Sequence, residues 1–132
     1  MEKIIKVVAA VIENEKNEIL CTLRPIGKIL GNNWEFPGGK LEKGETEFEG
    51  IKREIKEELN CDIEPIEIIG DAYHKYERGT VNIIAIKCKQ LSPIKLNEHD
   101  ACIWLKRKNL KSLVWAPADI EIIDKFLKWS SN

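Results

Sequence analysis

The sequence predicts an α/β (α+β) fold, a mixed α/β sandwich around one pair of helices. Three observations carry that prediction. Apolar runs of strand length recur on both sides of one amphipathic helix, that helix carries its own start and stop signals, and a second apolar-periodic helix closes the chain. The order reads β-β-β-α-β-β-β-α over 132 residues, which is enough for one domain, 1–132, with a sizeable core. No linker, internal repeat or low-complexity tract divides it.

Residues 4–12, "IIKVVAAVI", read as a largely buried strand, and "NEKNE" turns the chain into "EILCTLR" at 18–24, its hairpin partner. Pro25, Gly27, Gly31 and two asparagines make residues 25–33 a loop. The stretch "WEFPGGKLEKGET" at 34–46 is short and glycine-rich, and its Pro37 excludes helix. Thr46 then starts a helix, because Thr46-x-x-Glu49 forms a capping box. Phe48, Ile51, Ile55 and Leu59 recur at helical spacing as an apolar stripe, and Asn60 supplies a left-handed stop. Strands follow at 63–76 and 80–88, joined by a tight turn through "ERGT". Residues 89–100 are a polar loop and "ACIWL", 101–105, is a short strand. A final helix from about Pro117 turns Ile120, Ile123, Phe126 and Leu127 inward.

Composition removes several classes of function. A formal net charge of -1 provides no electrostatic footprint for a nucleic-acid polymer, so an anionic ligand must be drawn by local groups or metal ions. Cys21, Cys61, Cys88 and Cys102 form no CxxC pair and sit among apolar or β-branched neighbours, which suits small buried hydrophobes in a reducing cytoplasm. The apolar run near the N-terminus is closed at once by charges, so it reads as a strand rather than a signal peptide, and no membrane span follows. Nothing resembles a coiled coil or a large exposed apolar stripe, and a monomer is the default expectation.

The segment "REIKEE", Arg53 to Glu58, is the feature that helix stability alone does not explain. Glu57 and Glu58 fall about 60° to one side and about 40° to the other side of Glu54 on the helical wheel. Like charges at these spacings repel by a few tenths of a kcal/mol per pair. Lys52 and Lys56 lie on the far flank, so the acidic arc calls for a positive partner. Gly50 falls within the same arc, where its missing side chain leaves room either for a ligand or for a packing contact. Oxygen ligands clustered on one face select hard cations, Mg²⁺ or Mn²⁺ rather than zinc. The "PGGK" loop can bring backbone groups and Lys40 to the same place, which points to phosphoryl transfer with a metal-activated water.

These residues resemble the Nudix box of nucleoside diphosphate-linked hydrolases, matching it at Gly39, Glu45, Arg53, Glu54, Ile55, Glu57 and Glu58. The box usually ends in glycine where this chain has Asn60, which also tolerates left-handed geometry. "WEFPGGKLEKGET", Arg24-Pro25 and "APADI" (116–120) are similar to the MutT-type branch, which hydrolyses nucleoside triphosphates to a monophosphate and pyrophosphate. The C-terminal part is especially similar to CTP pyrophosphohydrolases.

The resemblance implies a Nudix-type α/β/α sandwich with a mixed β-sheet, and roles for particular residues. Glu54, Glu57 and Glu58 would hold Mg²⁺ (or Mn²⁺), with the carbonyl of Gly38 or Gly39 completing the site and Glu98 adding a distal carboxylate. Glu54 would also be the base that deprotonates the attacking water. Arg53 would fix carboxylates, or else form an ordinary helix ion pair. The base pocket would draw on Arg24, Phe36 and Asp119, with Lys40 near the phosphates; a surface arginine, a core aromatic and a helix cap are their ordinary alternatives. An ionised Asp119 only accepts hydrogen bonds and would suit an exocyclic amine such as that of cytosine. His74 and His99 lack metal-ligand spacing and read as surface or hydrogen-bonding residues, while Tyr76 and Arg78 are candidates to line the site.

Function is thus expected to be nucleotide-pool sanitation in support of DNA repair, acting on 8-oxo-dGTP or on CTP and modified cytosine nucleotides. The same chemistry on ADP-ribose or another nucleoside diphosphate derivative is an alternative, as is a non-catalytic nucleotide-binding module.

Overall fold

A computed structural model describes residues 3–25, 31–77, 79–97, 99 and 101–130. Its frame is a mixed sheet in which β1 (Ile4–Glu13) runs parallel to β6 (Gly79–Gln90) from Ile4 opposite Thr80 to Glu13 opposite Lys89. Around this pair the strand order is β3-β2-β1-β6-β5, with β2 Glu18–Leu23, β3 Trp34–Glu35 and β5 Ile63–Tyr76. Two further strands branch off: β4 (Gly38–Lys40) pairs with β1, and β7 (Ala101–Lys106) pairs with β2.

Alternation along β1 and β6 decides the layering, because successive side chains point to opposite faces. Val8, Ala10 and Ile12, with Ile84, Ile86 and Cys88, pack under α1 (Glu47–Leu59) through Ile51, Ile55 and Leu59. Ala9 and Val11, with Ile83 and Ala85, face α2 (Pro117–Ser130) through Ala118, Ile122, Ile123 and Phe126. The sheet therefore lies between two helices with a separate apolar core on each face, the mixed α/β sandwich expected from the sequence.

Local signals act as expected at α1. Glu49 N–H donates to Thr46 Oγ1 at 3.1 Å and Thr46 N–H donates to Glu49 Oε1 at 2.9 Å, so both halves of the capping box are made. Asn60 adopts φ 51°, ψ 33° and ends the helix.

Three expectations need correction, and one further element was not foreseen. The glycine-rich stretch forms two short strands, β3 and β4, on either side of Pro37, where the expected order counts one. Residues Arg107–Ser112 form a 3₁₀ turn that no apolar period announced. Phe48 is exposed, and the buried stripe of α1 begins at Ile51. Ile120 is also exposed and Ile122 is buried instead: two residues apart on a helix means about 200° of rotation, and the inward face is set by Ala118, Ile122 and Phe126.

Cys21, Cys61 and Cys88 are free and buried and Cys102 is partly buried. Burial pushes the Cys21 and Cys88 thiols up to about 12. Arg78 lies outside the described residues, as does most of the loop expected at 25–33. Among the described residues no helix is long and apolar enough to cross a membrane.

Candidate active site

α1, β3 and β4 meet at an open cleft of about 350 Å³. Six of the residues singled out in the sequence line it: Arg24, Gly38, Gly39, Lys40, Glu54 and Glu58. Glu54 and Glu58 reach it together because a spacing of four puts them one turn apart on the same side of α1. β4 provides the opposite wall, held by its pairing of Val8 with Gly39 and Ala9 with Gly38.

Glycine is required twice on this wall. A Cβ at Gly38 would collide with the backbone of Val8 and Ala9, whereas one at Gly39 would collide with the Glu54 carboxylate. Gly39 thus opens the space that the Glu54 carboxylate fills. Gly50 realises the packing alternative instead: Leu41 and the Glu45 carboxylate occupy the space its side chain would need, and no room is left there for a ligand.

The positive partner of the acidic arc is in large part Arg53. Its Nε and Nη2 donate to Glu45 at 2.7 and 2.9 Å, and Nη1 donates to Glu54 at 2.7 Å and to Glu57 at 3.4 Å. Nη2 also donates to the Lys40 carbonyl at 3.1 Å, tying α1 to the end of β4. The forked guanidinium at Glu45, followed by the Glu42 N–H, holds the Glu45 carboxyl down at about 2. The Arg53 pKa is raised in turn, first by its hydrogen bond to Glu45.

The three glutamates are not gathered at one point. Glu57 is exposed and turned toward Arg53, while Glu58 is buried at 6% exposure and faces the cleft. Among the described residues no group of three or more His, Cys, Asp or Glu side chains is gathered closely enough to hold a metal ion. Glu54 and Glu58 nevertheless fit a divalent cation, since two carboxylates share one cleft with peptide groups and oxygen donors suit hard ions. Glu98 lies outside the described residues.

Phe36 and Asp119 sit behind the cleft rather than in it. Phe36 is buried, with its ring centroid 4.8 Å from that of Trp115. Trp34 N–H donates to the Val114 carbonyl and Ala116 N–H donates to the Trp34 carbonyl, both at 2.9 Å, which fastens the start of α2 beside β3. Asp119 is thereby buried against Phe36. Burial first, then the Glu35 charge, pushes its carboxyl up to about 8, opposed by the Phe36 N–H and Arg24. That shift moves the carboxyl away from the ionised acceptor expected from the sequence and toward a protonated form, which can donate as well as accept. Tyr76 is half-buried at the same end, and its pKa is raised by burial and then by Asp119, with Glu35 adding to the rise and Arg24 opposing it.

Pro25, Glu35 and His99 also line the cleft and were not foreseen as site residues. The Glu35 carboxylate takes Arg24 Nη1 at 3.2 Å and His99 Nε2 at 2.9 Å. His99 has only 4% of its side chain exposed, and its Nε2 lies 3.9 Å from Glu58 Oε2. It is a buried hydrogen-bonding residue, not a surface one, whereas His74 is half-buried with its ring centroid 4.6 Å from that of Tyr76. Alternation carried a signal for Glu35, since an inward Phe36 turns its neighbour the other way. For His99 there was none, because its partner lies 64 residues away.

A model of the NUDIX domain family matches residues 8–125. The CTP pyrophosphohydrolase of Escherichia coli (strain K12) is 29% identical over 126 residues, covering 95% of this chain and 93% of that protein. The 8-oxo-dGTP diphosphatase of Haemophilus influenzae is 27% identical over 132 residues, covering 99% of this chain and 97% of the relative. The solved structure of the DNA mismatch repair protein MutT from methicillin-resistant Staphylococcus aureus 252 is similar with a TM-score of 0.79 at 40% identity, covering 97% of this chain and 98% of that one.

Proposed function

The chain belongs to the NUDIX domain family and is a Nudix hydrolase, and from that premise we propose that it cleaves (deoxy)nucleoside triphosphates to the monophosphate and pyrophosphate with Mg²⁺ or Mn²⁺. One observation carries the reading. Glu54 and Glu58, a turn apart on α1, open onto the same cleft as Arg24 and the Gly38–Gly39 backbone. Carboxylates at one end and an arginine at the other suit a cation-bound polyphosphate tail attached to a base.

The cation would be held by Glu54 and Glu58, with Glu57, a Gly38 or Gly39 carbonyl and Glu98 as further candidates. When bound, it supplies a counter-charge for the triphosphate and a more acidic water. Glu54 is the proposed general base. Arg53 pins one of its oxygens and Gly39 leaves space for the carboxylate, so its direction is set before substrate arrives. Water adds to a phosphorus as the bridging oxygen between α- and β-phosphate leaves. Glu54 takes one proton of that water, and the products are monophosphate and pyrophosphate. Lys40 and Arg24 line the same cleft, where Lys40 would meet phosphate charge and Arg24 phosphate or base.

The base would stand over Phe36 and Asp119. A protonated Asp119 offers one donor and one acceptor, a pair that suits the edge of either cytosine or 8-oxoguanine. The charge of this residue therefore does not choose between them. The test is pyrophosphate release from CTP, dCTP, dGTP, 8-oxo-dGTP and ADP-ribose with Mg²⁺, repeated with Asp119→Asn. Turnover of a cytosine or 8-oxoguanine triphosphate above the others is expected, with a preference that Asp119→Asn, which keeps one donor and one acceptor, leaves in place. Turnover of ADP-ribose alone, or of nothing, would refute the reading.

A further inference from the structure

The C-terminal turn of α1 carries two of the three glutamates, yet its carbonyls are not left to water. A helix leaves its last carbonyls without intrahelical partners. Here Asn97 Nδ2–H donates to the Glu57 carbonyl at 3.0 Å, Asn97 N–H to the Glu58 carbonyl at 2.9 Å and Lys95 N–H to the Leu59 carbonyl at 2.7 Å. Asn60 Nδ2–H returns a bond to the Lys95 carbonyl at 3.2 Å. The same stretch of chain, two residues on, places the buried His99 ring between α1 and β3. Its Nε2 lies 2.9 Å from Glu35 Oε2, where a carboxylate partner calls for the Nε2–H tautomer as donor, and 3.9 Å from Glu58 Oε2. Glu35 in turn holds Arg24.

We propose that residues 95–97 and 99 form a strap across the cleft, in which Asn97 and His99 are positioning residues that fix Glu57 and Glu58 on α1 relative to Glu35 and Arg24. Asn97 grips the backbone of the turn from which Glu57 and Glu58 project, and His99 locks the far end of the strap to β3. The carboxylate end of the cleft and its arginine end are then held at one spacing by a segment that contributes neither glutamate. This inference rests on the hydrolase reading above, because it concerns the pose of the cation ligands proposed there.

The test is a Mn²⁺ titration of the full chain without nucleotide, read by the electron paramagnetic resonance of the free ion. It is run on wild type, Asn97→Ala, His99→Leu and His99→Gln at a temperature where circular dichroism shows each variant folded. Outer hydrogen-bond partners of metal ligands typically matter by 10- to 100-fold in affinity or activity, so Asn97→Ala and His99→Leu are expected to weaken Mn²⁺ binding by about 10-fold or more. His99→Gln keeps a side-chain N–H and is expected to retain most of the affinity. If Asn97→Ala does not fold, the His99 pair carries the test alone. Wild-type affinity in both Asn97→Ala and His99→Leu, with only their Tm lowered, would reduce the strap to a stabilising cap and overturn the proposal. A wild-type chain that takes up no Mn²⁺ would instead sink the hydrolase reading, and this inference with it.

Discussion

At the scale of single residues, the two glycines of β4 separate stability from function. Gly38→Ala drives a methyl group into the backbone of Val8, which cannot swing away. It should destabilise the chain by about 1–3 kcal/mol, the usual range for overpacking, as measured by denaturant unfolding. Gly39→Ala meets the Glu54 carboxylate instead, the end of a side chain rather than backbone. The fold should survive with nearly unchanged Tm, while kcat/KM falls by up to about 100-fold, as expected for a reacting group misplaced by about an ångström. Asp119 yields a prediction in pH. Its folded carboxyl, near 8, lies well above the unfolded value of about 3.9. The folded state therefore binds more protons than the unfolded one between these values, and stability from this group, fully present below about pH 4, is lost as pH rises through about 8. Asp119→Asn should flatten the fall in Tm between pH 5 and pH 8, in thermal melts at matched ionic strength. An identical slope in both proteins would show that Asp119 titrates normally.

At the scale of elements, α1 is the part whose sequence specifies both structure and site. Thr46, Glu49 and Asn60 set its ends through local bonds and a left-handed stop, so the helix could be read without knowing the fold. Asn60→Ala should destabilise by about 1–2 kcal/mol, the cost of a left-handed conformation for an ordinary residue, while Asn60→Gly should come close to wild type. Chemical denaturation at constant m-value decides this. Equal losses in both variants would mean that the Asn60 bond to Lys95, rather than the backbone conformation, is what matters. Legibility was poorer where a long-range neighbour decides the outcome. The helical period points to Ile120 as an inward residue of α2, and packing against the sheet selects Ile122 instead. Phe48 fits the apolar stripe of α1 on a wheel, but the buried part of that stripe begins only at Ile51.

At the scale of the whole molecule, the sandwich follows from alternation in two parallel strands that each send residues into both cores. That much is written in apolar pattern, and so is the acidic arc. The sequence does not display how β3, residues 95–97 and His99 border the cleft, because Glu35, His99 and Arg24 meet only after the strands are ordered. The arc itself divides in the folded chain: Arg53 draws Glu57 to the exposed side while Glu54 and Glu58 turn into the cleft. The central claim is that these two carboxylates serve one cation and one triphosphate there. The most direct measurement is pyrophosphate release under saturating Mg²⁺ and nucleotide by wild type, Glu54→Gln and Glu58→Gln side by side, with Tm recorded for each. The account predicts release by wild type that EDTA abolishes, and a loss of at least about 100-fold in kcat in each folded variant, in the range for removing a general base or a preorganised electrostatic partner. Wild-type turnover in either variant, or release that persists in EDTA, would contradict it.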